Sequence, residues 1–134
     1  LTLKIALDTN VIVRYLTRDD PEQAEQARCL IESADIIAIP TVVFAELIWV
    51  LRRTHRIPTV EIAANLRAIL AAWPLDVDGR AVAAGLAMMD KGGDFADGVF
   101  HYEAMRGKSA TLATFDRRLA ARLPAEEVRL LGAG

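Results

Sequence analysis

A chain of 134 residues, 53% hydrophobic and 25% charged, is long enough for one domain that buries about two-thirds of its unfolded surface. Its composition excludes disordered and low-complexity classes. A formal net charge of −2 argues against nucleic-acid binding by overall positive potential, though a local basic rim remains compatible with it. The lone cysteine, Cys29, has no internal disulfide partner, and its Ala/Leu/Ile-rich surroundings predict core packing. With no signal-peptide-like leader, the expected setting is a reducing cytoplasm, and no apolar run is long enough to span a bilayer.

In chain order, residues 3–7 read as an apolar strand closed by the polar turn Asp8-Thr9-Asn10, followed by a short helix over 11–16. Asp19-Asp20-Pro21-Glu22 starts a second helix, since an acid at the cap with proline at the first helical position favours initiation. That helix runs to about residue 34, with Ala24, Ala27, Leu30 and Ile31 on its buried face. A short strand over 36–39 precedes a helix expected to be capped by Thr41, to carry Glu46 and to reach residue 54. Pro58-Thr59 opens a helix over 60–72, 75–77 is a short strand, and Asp78 is the expected cap of a helix over 80–91. Gly92-Gly93 breaks the chain before Asp94, the expected cap of a helix over 95–106. A strand over 110–114, a short helix begun by Asp116 and an edge strand over 128–131 complete the chain. Helices alternating with mostly apolar strands predict an α/β three-layer sandwich around a mainly parallel sheet, a single domain over 1–134. Such sheets bind ligands beyond the carboxyl ends of their strands, where Asp8 and Asp116 fall.

Four acids stand out against this background. Glu46 is the only charge in the run from 42 to 51, and a carboxylate carried into apolar surroundings is costly without compensation. Asp8, Asp97 and Asp116 each have an ordinary alternative, as a helix cap or first-turn acid. Asp94 and Asp97, three apart, can share a helix face or form an approximate capping box. Carboxylates that converge repel one another until a hard divalent cation joins them, which gives a metal-dependent enzyme as the functional reading. Thr9, Asn10 and Thr114 could orient a carboxylate or water, or serve only as turn and strand residues. His101 follows Asp97 by one turn, where a lone histidine is more often a packed or surface residue than a functional one. Arg52, Arg53, His55 and Arg56 suit a helix C-terminus by charge alone, or else an RNA contact; Arg14, Arg117 and Arg118 could position phosphates. Other aspartate chemistries lack their signatures. Asp8-Thr9-Asn10 is neither Asp-Thr-Gly nor a pair of acids two apart, Asp19-Asp20 come too late for a receiver domain, and there is no phosphate loop or zinc-spaced His/Cys set.

The segments Ala6-Leu7-Asp8-Thr9-Asn10-Val11, Phe44-Ala45-Glu46-Leu47, Asp94-Phe95-Ala96-Asp97 and Ala113-Thr114-Phe115-Asp116 resemble the PIN-domain ribonucleases, and within them the VapC-type toxins of toxin–antitoxin pairs. The likeness extends over residues 3–131. It implies that Asp8, Glu46, Asp97 and Asp116 correspond to the family's acidic quartet and Thr114 to its hydroxyl residue, with Asp116 at the most variable position. The implied activity is an endoribonuclease dependent on Mg²⁺ or Mn²⁺, leaving a 5′-phosphate and a 3′-hydroxyl, dimeric and held inactive by a cognate antitoxin. A stand-alone RNA-processing nuclease and a non-catalytic RNA- or protein-binding module are the rival expectations.

Overall fold

A computed structural model describes residues 2–106 and 111–132. They belong to two compact units, Leu1–Asp78 and Gly79–Gly134.

The first unit contains β1 (Lys4–Ala6), α1 (Thr9–Thr17), α2 (Pro21–Ser33), β2 (Ile36–Ala38), α3 (Thr41–Arg53), α4 (Thr59–Ala72) and β3 (Leu75–Asp76). The three strands form a parallel sheet in the order β1-β2-β3, with Ile5 opposite Ile37 and Ile37 opposite Leu75. Helical crossovers are what parallel neighbours require. The central strand carries the apolar Ile37, which is fully buried. Beyond the strand ends the ladder continues, as Leu7 N donates to the Ala38 carbonyl (3.1 Å) and Ile39 N to that of Asp76 (3.3 Å). Asp20 starts α2 as read from the sequence, its side chain accepting from Gln23 N with Pro21 in the first turn. Phe44, Leu47 and Leu51 of α3 and Ile62 of α4 have no exposed surface, and each carries the cavity cost of a core residue, about 2–5 kcal/mol on truncation to alanine. Tyr15 meets Trp73 edge to face, ring centroids 5.3 Å apart.

The second unit contains α5 (Gly79–Asp90), α6 (Phe95–Arg106), β4 (Leu112–Thr114), α7 (Arg117–Ala121), a 3₁₀ turn (Ala125–Glu127) and β5 (Val128–Leu130). β4 and β5 form their own parallel ladder, Leu112 opposite Val128. Helices α5 and α6 pack closely because Gly98 has no side chain: a Cβ there would stand 2.4 Å from the Ala84 carbonyl oxygen. Met88, Leu112, Leu119 and Leu123 make one buried apolar cluster of this unit, and Val82, Leu86 and Phe95 are buried as well.

Several expectations are corrected. Among the described residues the strands form two parallel ladders, β1-β2-β3 and β4-β5, in place of the single sheet expected, so Asp8 follows a strand of one and Asp116 a strand of the other. Thr41 is the first residue of α3 and not its cap; Pro40 holds the cap position, without a side-chain hydrogen bond. On α2 the buried face is Ala24, Ala27 and Ile31, while Leu30 is 39% exposed. Cys29 points away from that face and is exposed, its Sγ 3.6 Å from Glu25 Oε1. At 100° per residue Cys29 falls well outside the stripe that positions 24, 27 and 31 share. Ala110, the expected first residue of the fourth strand, lies outside the described residues.

Candidate active site

Asp8 follows β1 and caps α1 with extended backbone (φ −78, ψ 155), its Oδ1 accepting from Thr9 N at 2.7 Å. Leu7 and Thr9 on either side are buried while Asp8 is exposed, so apolar packing fixes the backbone and leaves the carboxylate at the surface. Its Oδ2 accepts no hydrogen bond among the described residues. Thr9 is 3% exposed, and its Oγ1 has no hydrogen-bond partner. Asn10 is exposed and lines, with Arg14 and Leu30, a cavity of about 250 Å³. Arg14 is itself engaged, with Asp19 at 3.0 Å and Gln23 at 2.7 Å.

Glu46 does not occupy apolar, buried surroundings. It is exposed on the stripe of α3 that also presents Val42 (73% exposed), Trp49 (59%) and Arg53. The spacing i, i+4, i+7, i+11 places all four on one face, opposite Phe44, Leu47, Ile48 and Leu51. Valine and tryptophan on that open face made the segment look uniformly buried. Arg52, Arg53 and Arg56 are likewise exposed at the end of α3.

In the second unit Asp97 is half-buried in the first turn of α6. Burial raises its pKa, the charges of Asp94 and Asp116 raise it further, and Arg122 opposes them. Asp94 is exposed, and its backbone carbonyl accepts from Asp97 N (3.1 Å) and Gly98 N (3.3 Å), so the helix start sets the spacing of the two acids. Asp116 caps α7: Oδ1 accepts from Arg118 N (2.9 Å) and Leu119 N (3.1 Å). Thr114 Oγ1 accepts from Asp116 N at 2.9 Å and so fixes the turn that presents this acid. His101 faces another way, its Nε2 3.6 Å from Glu127 Oε1.

The first unit thus carries Asp8, Thr9, Asn10 and Glu46, and the second Asp94, Asp97, Thr114 and Asp116. Among the described residues no group of three or more His, Cys, Asp or Glu side chains is arranged to hold a metal ion. The donors are all oxygens, the type that Mg²⁺ and Mn²⁺ prefer. Asp97 already feels more negative than positive charge, and an added cation relieves that imbalance. The donor chemistry therefore fits a hard divalent ion. Arg122 is the participant that sequence reasoning missed. Its tie to the Lys91 carbonyl (Nε, 3.3 Å) spans 31 positions, and only the glycine pair beneath it hinted at a side chain lying there.

Parallel strands joined by helices, with acids at strand and helix ends, define an α/β protein. The chain belongs to the PIN domain family, whose pattern it matches over residues 5–124. PIN domains are generally nucleases, and PIN nucleases usually use divalent metal ions. No curated protein matches the chain as a relative. No helix among the described residues is long and apolar enough to cross a membrane.

Proposed function

We propose that this PIN protein is a metal-dependent endoribonuclease, the toxin component of a toxin–antitoxin pair, hydrolysing RNA phosphodiester bonds in the cytoplasm. The observation that carries the metal-dependent reading is Asp97, half-buried and facing the charges of Asp94 and Asp116 with Arg122 as the opposing cation. A cation bound beside such a carboxylate would favour its ionised form and offset the repulsion from its acidic neighbours. Asp8, Glu46, Asp97 and Asp116 would hold Mg²⁺ or Mn²⁺, both units acting as one domain over 1–134. When bound, such an ion lowers the pKa of a water and stabilises charge on phosphate oxygens. The chain's own groups do the rest: Thr114 presents Asp116, Asp94 accompanies Asp97, and Thr9 with Asn10 flanks Asp8. No side-chain nucleophile is needed. A homodimer through the exposed Val42–Trp49 face of α3, and an antitoxin as the inhibitory partner, complete the reading, since large apolar side chains on an open helix face favour a covering surface.

The test is induction of the wild type and Asp8→Asn in a host lacking any antitoxin, following growth and cellular RNA. Growth arrest with discrete RNA cuts for the wild type alone, relieved by co-expression of a small neighbouring gene, is the expected result. RNA cleavage without arrest would favour a stand-alone processing nuclease. An absence of cleavage across many RNAs with Mg²⁺ or Mn²⁺ would leave a non-catalytic RNA- or protein-binding module.

A further inference from the structure

Arg122 closes α7 and reaches back to the turn between α5 and α6. Its Nε donates to the Lys91 carbonyl oxygen at 3.3 Å. The stem lies over Gly93, where a Cβ would come within 3.2 Å of Arg122 Cδ and 2.7 Å of Met88 Sδ. Nη2 would lie 3.9 Å from a Cβ at Gly92, whose φ of +83 also favours glycine. The double glycine therefore makes a shallow bed in which an arginine is laid flat and held by one N–H. Both Nη atoms are left without a hydrogen bond or ion pair among the described residues. The guanidinium is close enough to Asp97 to oppose, electrostatically, the effect of its acidic neighbours. An arginine that only neutralised those acids would close on one as a salt bridge. This one is anchored to a backbone carbonyl, half-buried, with its fork free.

We propose that Arg122 is an anchor for an RNA phosphate, its free Nη atoms receiving a non-bridging phosphate oxygen beside the acids of the second unit. The proposal rests on the nuclease reading above for its ligand. A backbone so near carboxylates meets repulsion, and a fixed guanidinium offsets it at the place where the phosphate must come. Pre-organisation matters because an arginine already held by its Nε and stem loses little further freedom on binding. The contact is to phosphate and carries no sequence information.

The experiment is fluorescence anisotropy of a labelled single-stranded RNA oligonucleotide with the full chain in EDTA, across a range of salt concentrations. Wild type, Arg122→Gln and Arg122→Lys are compared, with Mn²⁺ binding and thermal melting measured on each. Arg122→Gln is expected to bind RNA about tenfold more weakly, and its log affinity against log salt should flatten by about 0.7, the value of one phosphate contact on a single strand. Arg122→Lys should recover the slope but only part of the affinity, having charge without the fork. Mn²⁺ affinity of Arg122→Gln should hold or rise, because a neighbouring positive charge is gone. An unchanged RNA affinity and slope in Arg122→Gln overturns the proposal. So does a fall in RNA affinity matched by falls in Mn²⁺ affinity and melting temperature with the slope unchanged, which would make Arg122 a strut for the turn. If the wild type cleaves RNA with Mg²⁺ while Arg122→Gln binds as wild type does, only the anchor fails. A wild type that neither binds nor cleaves RNA removes both.

Discussion

Asp8 and Asp116 each commit one carboxylate oxygen to a helix start, and among the described residues the other accepts no hydrogen bond. Capping and metal binding are thus compatible in one side chain. Asparagine caps about as well as aspartate, so Asp8→Asn should melt within a degree or two of wild type by the stability rule of about 1 kcal/mol per several degrees. Its Mg²⁺-dependent RNA cleavage should fall by about 100-fold or more, since even an outer-shell partner of a metal site is worth about 10–100-fold. Wild-type cleavage by Asp8→Asn, still requiring metal, would remove Asp8 from the site. Asp97 yields a prediction with a definite sign. Its folded-state pKa is raised, by burial first and by Asp94 and Asp116 next. The folded chain therefore holds this proton more tightly than the unfolded chain does. The stabilisation from protonation is complete below the ordinary aspartate range and is lost as pH rises through the raised value. In EDTA at neutral pH, Asp97→Asn should accordingly melt higher than wild type, and the two should converge in acid. Divalent ions should stabilise the wild type at neutral pH and progressively less in acid, as protons compete for Asp97. A lower neutral melting temperature for Asp97→Asn in EDTA would refute this account.

At the scale of elements, α2 and α6 are governed by single positions. Removing the cap with Asp20→Ala should cost about 1 kcal/mol, read as a shift in urea midpoint. Gly98→Ala places a methyl 2.4 Å from the Ala84 carbonyl oxygen, and the forced separation of α5 and α6 should cost about 1–3 kcal/mol. An unchanged midpoint for Gly98→Ala would mean that the two helices separate freely. The α3 stripe allows a test of association: Trp49→Glu should shift light scattering at micromolar concentration from dimer to monomer. A wild type that is already monomeric there would end the dimer reading. What was legible in the sequence was local. The Asp20-Pro21 start, the Gly92-Gly93 break and the order of strands and helices all depend on neighbours in sequence, and the structure places them where the residues predict. Glu46 and Cys29 were misread for one reason. Both lie in apolar stretches, and composition does not say which third of a helix is covered; position on the wheel does. Arg122 was invisible because its partner at Lys91 lies 31 positions away.

At the scale of the whole molecule, the acids divide evenly between two units, Asp8 and Glu46 in the first and Asp97 and Asp116 in the second. The PIN match runs through both. Metal dependence and folding should therefore be linked if the four acids act together, because an ion bound only by the folded chain stabilises it by mass action. Wild-type protein titrated with Mn²⁺ should melt at rising temperature, and Asp8→Asn and Asp97→Asn should each lose that response. Retention of the full response by either variant would show that its acid is not a ligand.

The two tryptophans of the chain, Trp49 and Trp73, both lie in Leu1–Asp78, so tryptophan emission, excited selectively over tyrosine, originates in that unit alone. Trp73, half-buried against Tyr15, should report the loss of packing as an emission shift to the red. Trp49, 59% exposed, should emit as a solvated indole unless another surface covers it. Far-ultraviolet dichroism, by contrast, sums helices from both units. An unfolding curve recorded by both signals therefore asks, without any label or substitution, whether Gly79–Gly134 melts with the rest: superimposable transitions mean one cooperative unit, and a dichroism change that leaves tryptophan emission flat means two.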